Sequence, residues 1–127
     1  MTREERKTVL IDLCMRLPYG VKVNHFGVVR ELLGVIPPSE PCEIVMVGYD
    51  INDYEDSIIE DIKPYLRPMS SMTEEEKEEL YQKTGFRVDD CILGLSAIDW
   101  LNANHFDYRG LIPMGLALEA PKDMYKF

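Results

Sequence analysis

The sequence predicts an α+β fold built as one small domain: an N-terminal helix, a small curled antiparallel sheet or SH3-sized barrel, then a helical C-terminal half. Three observations carry that prediction. Two capping boxes, Thr2 with Glu5 and Thr73 with Glu76, mark helix starts on either side of a β-patterned region. Between them, short runs rich in valine and isoleucine are punctuated by proline and glycine, the pattern of short strands and turns. The length, 127 residues, is that of one domain able to bury a core without disulfide or metal staples.

The first element is a helix whose apolar residues Val9, Leu10, Leu13, Cys14 and Leu17 share one face, which places Cys14 in the core. Pro18 and Gly20 end it. Val21 and Val23 then alternate with Lys22 and Asn24, and Gly27-Val28-Val29 and Cys42 to Val47 read as further strands. Ile36 to Pro41, with Pro37, Pro38 and Pro41, reads as a loop, because proline cannot donate to a ladder. Gly48 to Asp56 reads as a polar, acidic turn, and Ser57 to Ile62 as a closing strand. Pro64 and Pro68 are expected to stop regular structure. The β-rich part is thus 18–68, and a helical part follows over 72–113.

Within that helical part, the Thr73 box starts a helix with Glu74 and Glu75 in its first turn, favoured there by the helix dipole. It should run to about Lys83 and stop at Gly85, with Leu80 and Tyr81 facing the core. A third helix starts at Ser96 and buries Ile98, Trp100 or Leu101. Asp107 is placed to cap a turn through Tyr108 to Ile112. Pro113 and Gly115 then break the chain before Leu116-Ala117-Leu118, a short strand or extended tail. No repeat or linker divides 1–127, so the chain reads as a single domain.

Apolar residues make up 46% and charged residues 29%, a globular balance. The net charge of −9 argues against general nucleic-acid binding, which needs a basic footprint, and against docking on anionic membranes. It leaves room for one local basic pocket holding a small anion. Cys14, Cys42 and Cys91 are an odd set without a CxxC pattern. The charged segment Met1 to Lys7 runs straight into a helix pattern, and no apolar run approaches the roughly 20 residues of a membrane span. These features point to a soluble protein of a reducing cytoplasm.

Two clusters offer binding chemistry. The first lies in KPYLRPMSSMTEEE, Lys63 to Glu76. Lys63, Tyr65, Arg67, Ser70, Ser71 and Thr73 bring cations and hydroxyls to a helix N-terminus, the chemistry of a phosphate site. The alternative is structural: the prolines set a turn, Tyr65 and Leu66 pack, and Ser71 or Thr73 caps a helix whose acidic first turn repels phosphate. Met69 and Met72 read as packing.

The second cluster is WLNANHFDYRG, Trp100 to Gly110. Asn102, Asn104, His105, Asp107, Tyr108 and Arg109 can recognise a polar ligand, and His105 with Asp107 can form an imidazole–carboxylate pair serving a hydrolase as general base. No nucleophile accompanies them, since neither Ser96 nor Cys91 lies in an activating pattern. The alternative here is a capped helix end with Tyr108 and Arg109 covering the core edge. His25 and His105, the two histidines, lack zinc-ligand spacing, and the acidic run Asp50 to Asp56 lacks the EF-hand pattern. No catalytic residue, metal or cofactor is therefore expected.

Three strings carry a resemblance: DLCMRLPYGVKV at Asp12 to Val23, IKPYLRPMSSMTEEEKEE at Ile62 to Glu79, and DWLNANHFDYRGLIPMGLALEAPKDMY at Asp99 to Tyr125. On these the chain resembles an uncharacterised family of small proteins associated with phages, prophages and mobile elements of Bacteroidales gut bacteria. Asn24 to Asp61 and Leu80 to Ile98 lie outside the resemblance. The family's pattern leads one to expect a second histidine at Asn104. The resemblance implies an accessory gene and brings no established activity.

The reading that follows is a non-enzymatic binding protein of a phage or mobile element. In one version it is an anti-defence protein that sequesters a small phosphorylated or nucleotide signal. There Lys63, Tyr65, Arg67 and Arg109 neutralise phosphate and Tyr65, Trp100 or Tyr108 stacks on a base. The alternative is an acidic adaptor or inhibitor of a host protein, steered by its charge. The His105/Asp107 hydrolase is the remote third. The two clusters can meet to build one pocket, or act as the lock between the helical half and the sheet.

Overall fold

The structure, a computed structural model, describes residues 1–39, 42–50, 52–85 and 94–125. Cys91, and Pro41 at the end of the expected loop, lie outside them. Among the described residues it is α+β, with three α-helices and a seven-stranded mixed sheet.

Helix α1 spans Arg3–Arg16 and begins at the Thr2–Glu5 capping box. Its inward stripe is Val9, Asp12, Leu13 and Arg16, all buried, at the i, i+3, i+4, i+7 spacing of one helix face. That stripe corrects the expectation for Cys14, which is exposed. Two charged residues take the inward positions and rotate the thiol outward. A 3-10 turn over Leu17–Tyr19 and left-handed Gly20 close the element.

Strands β1 (Lys22–His25), β2 (Val28–Ser39), β3 (Cys42–Asp50) and β4 (Asp53–Ile58) pair antiparallel in succession. Strand β5 (Ile62–Pro68) then pairs antiparallel with β1 on its other side. Three residues, Ile59–Asp61, join β4 to β5 although β3, β2 and β1 lie between them in the sheet. Four Cα steps reach about 15 Å, whereas four strand spacings in a flat sheet need about 19 Å. The sheet must curl. A direct sign is the 3.3 Å approach of His25 Nδ1 on β1 to Glu55 on β4, across two intervening strands.

The expected curl is therefore present, but the sheet is mixed and open. No β4–β5 pairing closes a barrel among the described residues, and β6 (Phe106–Asp107) and β7 (Leu118–Glu119) both join β5 in parallel. Three further expectations are corrected here. Ile36 to Ser39 belongs to β2, with Pro37 and Pro38 at a register shift where the ladder needs no N–H. Part of the acidic stretch read as a turn is edge strand β4. Pro64 and Pro68 lie inside β5 rather than ending structure.

The helical back half is also corrected. Helix α2 (Glu74–Thr84) starts at the Thr73 box and stops at left-handed Gly85, burying Leu80 while Tyr81 stays partly exposed. Helix α3 (Leu95–Ala103) buries Ala97, Trp100, Leu101 and Asn102. Beyond it, residues 104–125 form turns and the two short strands β6 and β7, because glycine and proline interrupt every apolar run there.

Two apolar clusters result. Val9 and Leu13 of α1 pack with Val23, Leu32, Val45, Val47, Ile62 and Leu66 of the sheet and with Leu111 and Leu116 of the last segment. Met72, Leu80, Trp100, Leu101 and Phe106 form the second, with Met69 packed against it. Each such buried side chain contributes about 1.5–3 kcal/mol. Among the described residues no helix is long and apolar enough to cross a membrane.

Candidate functional site

The two sequence clusters meet through backbone. Arg67 and Pro68 of β5 pair in parallel with Phe106 and Asp107 of β6, and the Arg67 N–H donates to the His105 carbonyl at 2.7 Å. The Arg67 guanidinium lies 4.1 Å from the centre of the Phe106 ring and binds both carboxylate oxygens of Glu76 at 2.7 Å each. Glu76 also completes the α2 capping box, accepting from the Thr73 N–H. Its hydrogen bonds to Arg67, then those to Thr73, hold its carboxyl below the usual carboxylate range.

Behind this lies a buried polar group. Asp12, wholly buried, accepts from Arg16 Nε at 2.8 Å and from Arg109 Nε at 3.1 Å. Arg16 also donates to the Phe106 carbonyl at 2.6 Å. Its Nη1 has no partner among the described residues. Both guanidiniums lie near the Tyr108 ring, whose hydroxyl donates to buried Asn102 at 3.0 Å. Two cations thus share one carboxylate.

His105 sits at φ 63, a left-handed conformation that histidine tolerates better than most residues. Its ring is buried and stacks on Tyr125 at 3.7 Å. Burial first, then the charges of Arg16, Arg67 and Lys22, lowers its pKa to about 4, so the imidazole is neutral at physiological pH. Asp107 uses both oxygens to accept the N–H groups of Leu111 and Ile112, at 2.8 and 2.9 Å, the capping role its position predicts. Tyr125 fastens the last segment: its hydroxyl donates to the Tyr65 carbonyl at 2.7 Å and accepts from the Lys22 N–H at 2.8 Å. Burial raises its pKa, keeping the phenol protonated.

A surface cleft of about 650 Å³ opens where β5 meets α2 and the segment after β7. Arg67, Ser71, Glu76, Glu119, Lys122 and Asp123 line it, with Pro121 and Tyr125 as apolar wall. Three carboxylates face two cations, and one of those cations is already held by Glu76. The charge suits a cationic or mixed-charge group better than a phosphate.

The nine candidate residues divide accordingly. Arg67 and Ser71 reach the cleft, although the Ser71 hydroxyl donates to the Pro68 carbonyl. Asn102, His105, Tyr108 and Arg109 belong to the buried junction, and Tyr65 accepts from Asn24 at 3.0 Å. Lys63 and Ser70 are exposed and stand apart from the cleft lining. Sequence reasoning missed Asp12, Arg16, Glu119, Asp123 and Tyr125. The signal for the first two was available, since Asp12 and Arg16 fall on the Val9–Leu13 face at i, i+4 spacing. No protein-family model, curated protein or solved structure matches the chain.

Proposed function

We propose that this chain is a non-enzymatic binding protein that engages a protein partner through the acidic surface around the cleft, as an adaptor or inhibitor. Following its resemblance, it serves a phage or mobile element in a host cytoplasm. The observation that carries the reading is the fate of the arginines. Arg67 is spent on Glu76 and Arg109 on Asp12, whereas Glu119 and Asp123 are exposed at the cleft. Glu75 and Glu78 extend the same sign along the exposed side of α2, where Glu74 pairs with Lys77 and Glu79 with Lys83. A lysine or arginine side chain of a basic partner fits this surface, and charge steers the encounter.

A small phosphorylated or nucleotide ligand is the second reading. Arg67, Ser71, Lys122 and the Tyr125 ring all line one cleft, and a phosphate able to displace Glu76 from Arg67 finds a bidentate partner there. Native mass spectrometry on gently purified protein separates the two. A retained protein that dissociates as salt rises, and is lost from a Glu119→Lys, Asp123→Lys variant, supports the adaptor. A retained small mass lost on Arg67→Ala supports sequestration. A bare chain under low-salt purification from its source organism counts against both.

A further inference from the structure

Met15 lies in the last turn of α1, partly buried, between exposed Cys14 and buried Arg16. Its sulfur meets the segment that follows β6. Arg109 Nη2 donates to Met15 Sδ at 2.8 Å, and the Tyr108 hydroxyl lies 3.9 Å from the same sulfur. A thioether is a weak acceptor, whereas a guanidinium is a strong, charged donor. The rest of this group is better matched. Arg109 Nε binds the Asp12 carboxylate at 3.1 Å, and the Tyr108 hydroxyl donates to Asn102 at 3.0 Å. Nη2 is the exception, since beyond the sulfur it reaches only the Tyr108 oxygen, at 3.4 Å, among the described residues.

This donor suits the oxidised sulfur better than the reduced one. A sulfoxide carries its oxygen on the sulfur itself, and that polar oxygen meets a charged donor already in place. The donor also favours the step that makes it. When the sulfur lone pair attacks one oxygen of hydrogen peroxide, the O–O bond breaks and the second oxygen leaves as hydroxide. The sulfur gives up two electrons and the peroxide gains them. The hydroxide then takes the proton left on the transferred oxygen and becomes water. Negative charge develops on the leaving oxygen beside the guanidinium, which stabilises it. In an apolar setting the same oxidation places a polar group among packed side chains and disrupts them. Here the sulfur faces Arg109 and Tyr108, with Asp12 and Asn102 behind them.

We infer that Met15 is an oxidation site, converted by a peroxide to a sulfoxide that Arg109 holds. Because Arg109 also binds Asp12, the product fastens the end of α1 to the segment after β6 at a second point. Methionine sulfoxide reductases reverse such a change. Met15 is not part of the cleft lining, and the inference stands whether or not the cleft binds as proposed.

Two measurements test it. The first is thermal unfolding of Met15→Gln beside Met15→Leu. Glutamine sets an amide oxygen near the place of the sulfoxide oxygen, whereas leucine keeps the apolar bulk and offers no acceptor. Glutamine should give the higher midpoint, by about 3 °C. An equal or higher midpoint for leucine would make Met15 a packing residue and overturn the inference. The second is treatment of the folded chain with hydrogen peroxide, in a Cys14→Ser background that removes the neighbouring thiol. Peptide mass spectrometry follows each methionine, with Met114, 48% exposed, as the standard within the same chain. Exposure alone makes the partly buried Met15 the slower of the two. The expected result is sulfoxide formed at Met15 at least as fast as at Met114. Slower oxidation of Met15 than of Met114 would overturn the inference.

Discussion

Arg67 and Glu76 face each other through two parallel hydrogen bonds of 2.7 Å, and this fork ties the end of β5 to the first turn of α2. Planar guanidinium against planar carboxylate is the strongest geometry available to an ion pair, and the Phe106 ring beneath excludes water from one side. Arg67→Ala is expected to cost about 1–3 kcal/mol, and Arg67→Lys should recover little because an ammonium cannot make the fork. Urea unfolding of Arg67→Ala, Glu76→Ala and the double variant measures the coupling. A coupling near zero would return Arg67 to the ligand-facing role considered for it.

The same pair sets a pH dependence. Glu76 titrates lower in the folded chain than in the unfolded one, so its contribution is present above pH 4.5 and is lost as pH falls through the folded value. Glu76→Gln should flatten the acid limb of stability; an unchanged limb would assign acid sensitivity elsewhere.

Removing Asp12 has a larger expected effect. Its carboxylate is the shared counter-ion of Arg16 and Arg109, and both Asp12 and Arg16 are wholly buried. Asp12→Ala leaves the buried guanidinium uncompensated, at a cost of about 3–5 kcal/mol. Replacing the pair together, Asp12→Leu with Arg16→Met, removes the stranded charge and should recover part of that loss. Denaturant midpoints of the two variants decide it: if the double variant is less stable than Asp12→Ala, the charges are specified by more than their mutual pairing.

His105 makes the opposite contribution to that of a paired histidine. Its folded pKa, about 4, lies below the ordinary imidazole value of 6.5, so the unfolded chain binds the extra proton first. Stability from this group is complete above pH 6.5 and declines as pH falls toward 4. His105→Asn keeps a residue that tolerates φ 63 while removing the imidazole. The variant should lose the stack on Tyr125 and show a weaker dependence of unfolding free energy on pH between 4 and 6.5. An unchanged slope would place the titration on another group.

What the sequence revealed was local. Both capping boxes, the Gly85 stop and the Asp107 cap are short-range hydrogen-bonding patterns, and each lies where its residues predict. The valine alternation of β1 likewise follows from one buried face. What it hid was context-dependent. Prolines 37, 38, 64 and 68 occupy strands because register shifts and neighbours relieve the missing N–H, which no single stretch reveals. The parallel pairing of β5 with β6 joins residues separated by the whole of α2 and α3. Of the candidate site, the meeting of the two clusters was foreseeable as an alternative. Arg67's partner was not, since the sequence assigns Glu76 only to the Thr73 capping box.

Two glycines should respond to alanine for different reasons. A Cβ on Gly48 would sit 2.3 Å from the Asp53 carbonyl and 2.5 Å from the Tyr54 Cα, so backbone of β4 must move. Gly48 pairs with Tyr54 beside the β3–β4 turn, and moving β4 there shifts Glu55 away from His25. Gly85→Ala meets nothing within 4 Å and pays only for left-handed backbone at φ 73, about 1 kcal/mol. Gly48→Ala should therefore be the more damaging, by about 2 kcal/mol or more, with amide exchange accelerated in β4 and little changed in α2. Equal losses would mean that β4 yields without strain, and that the curl of the sheet does not depend on this close approach.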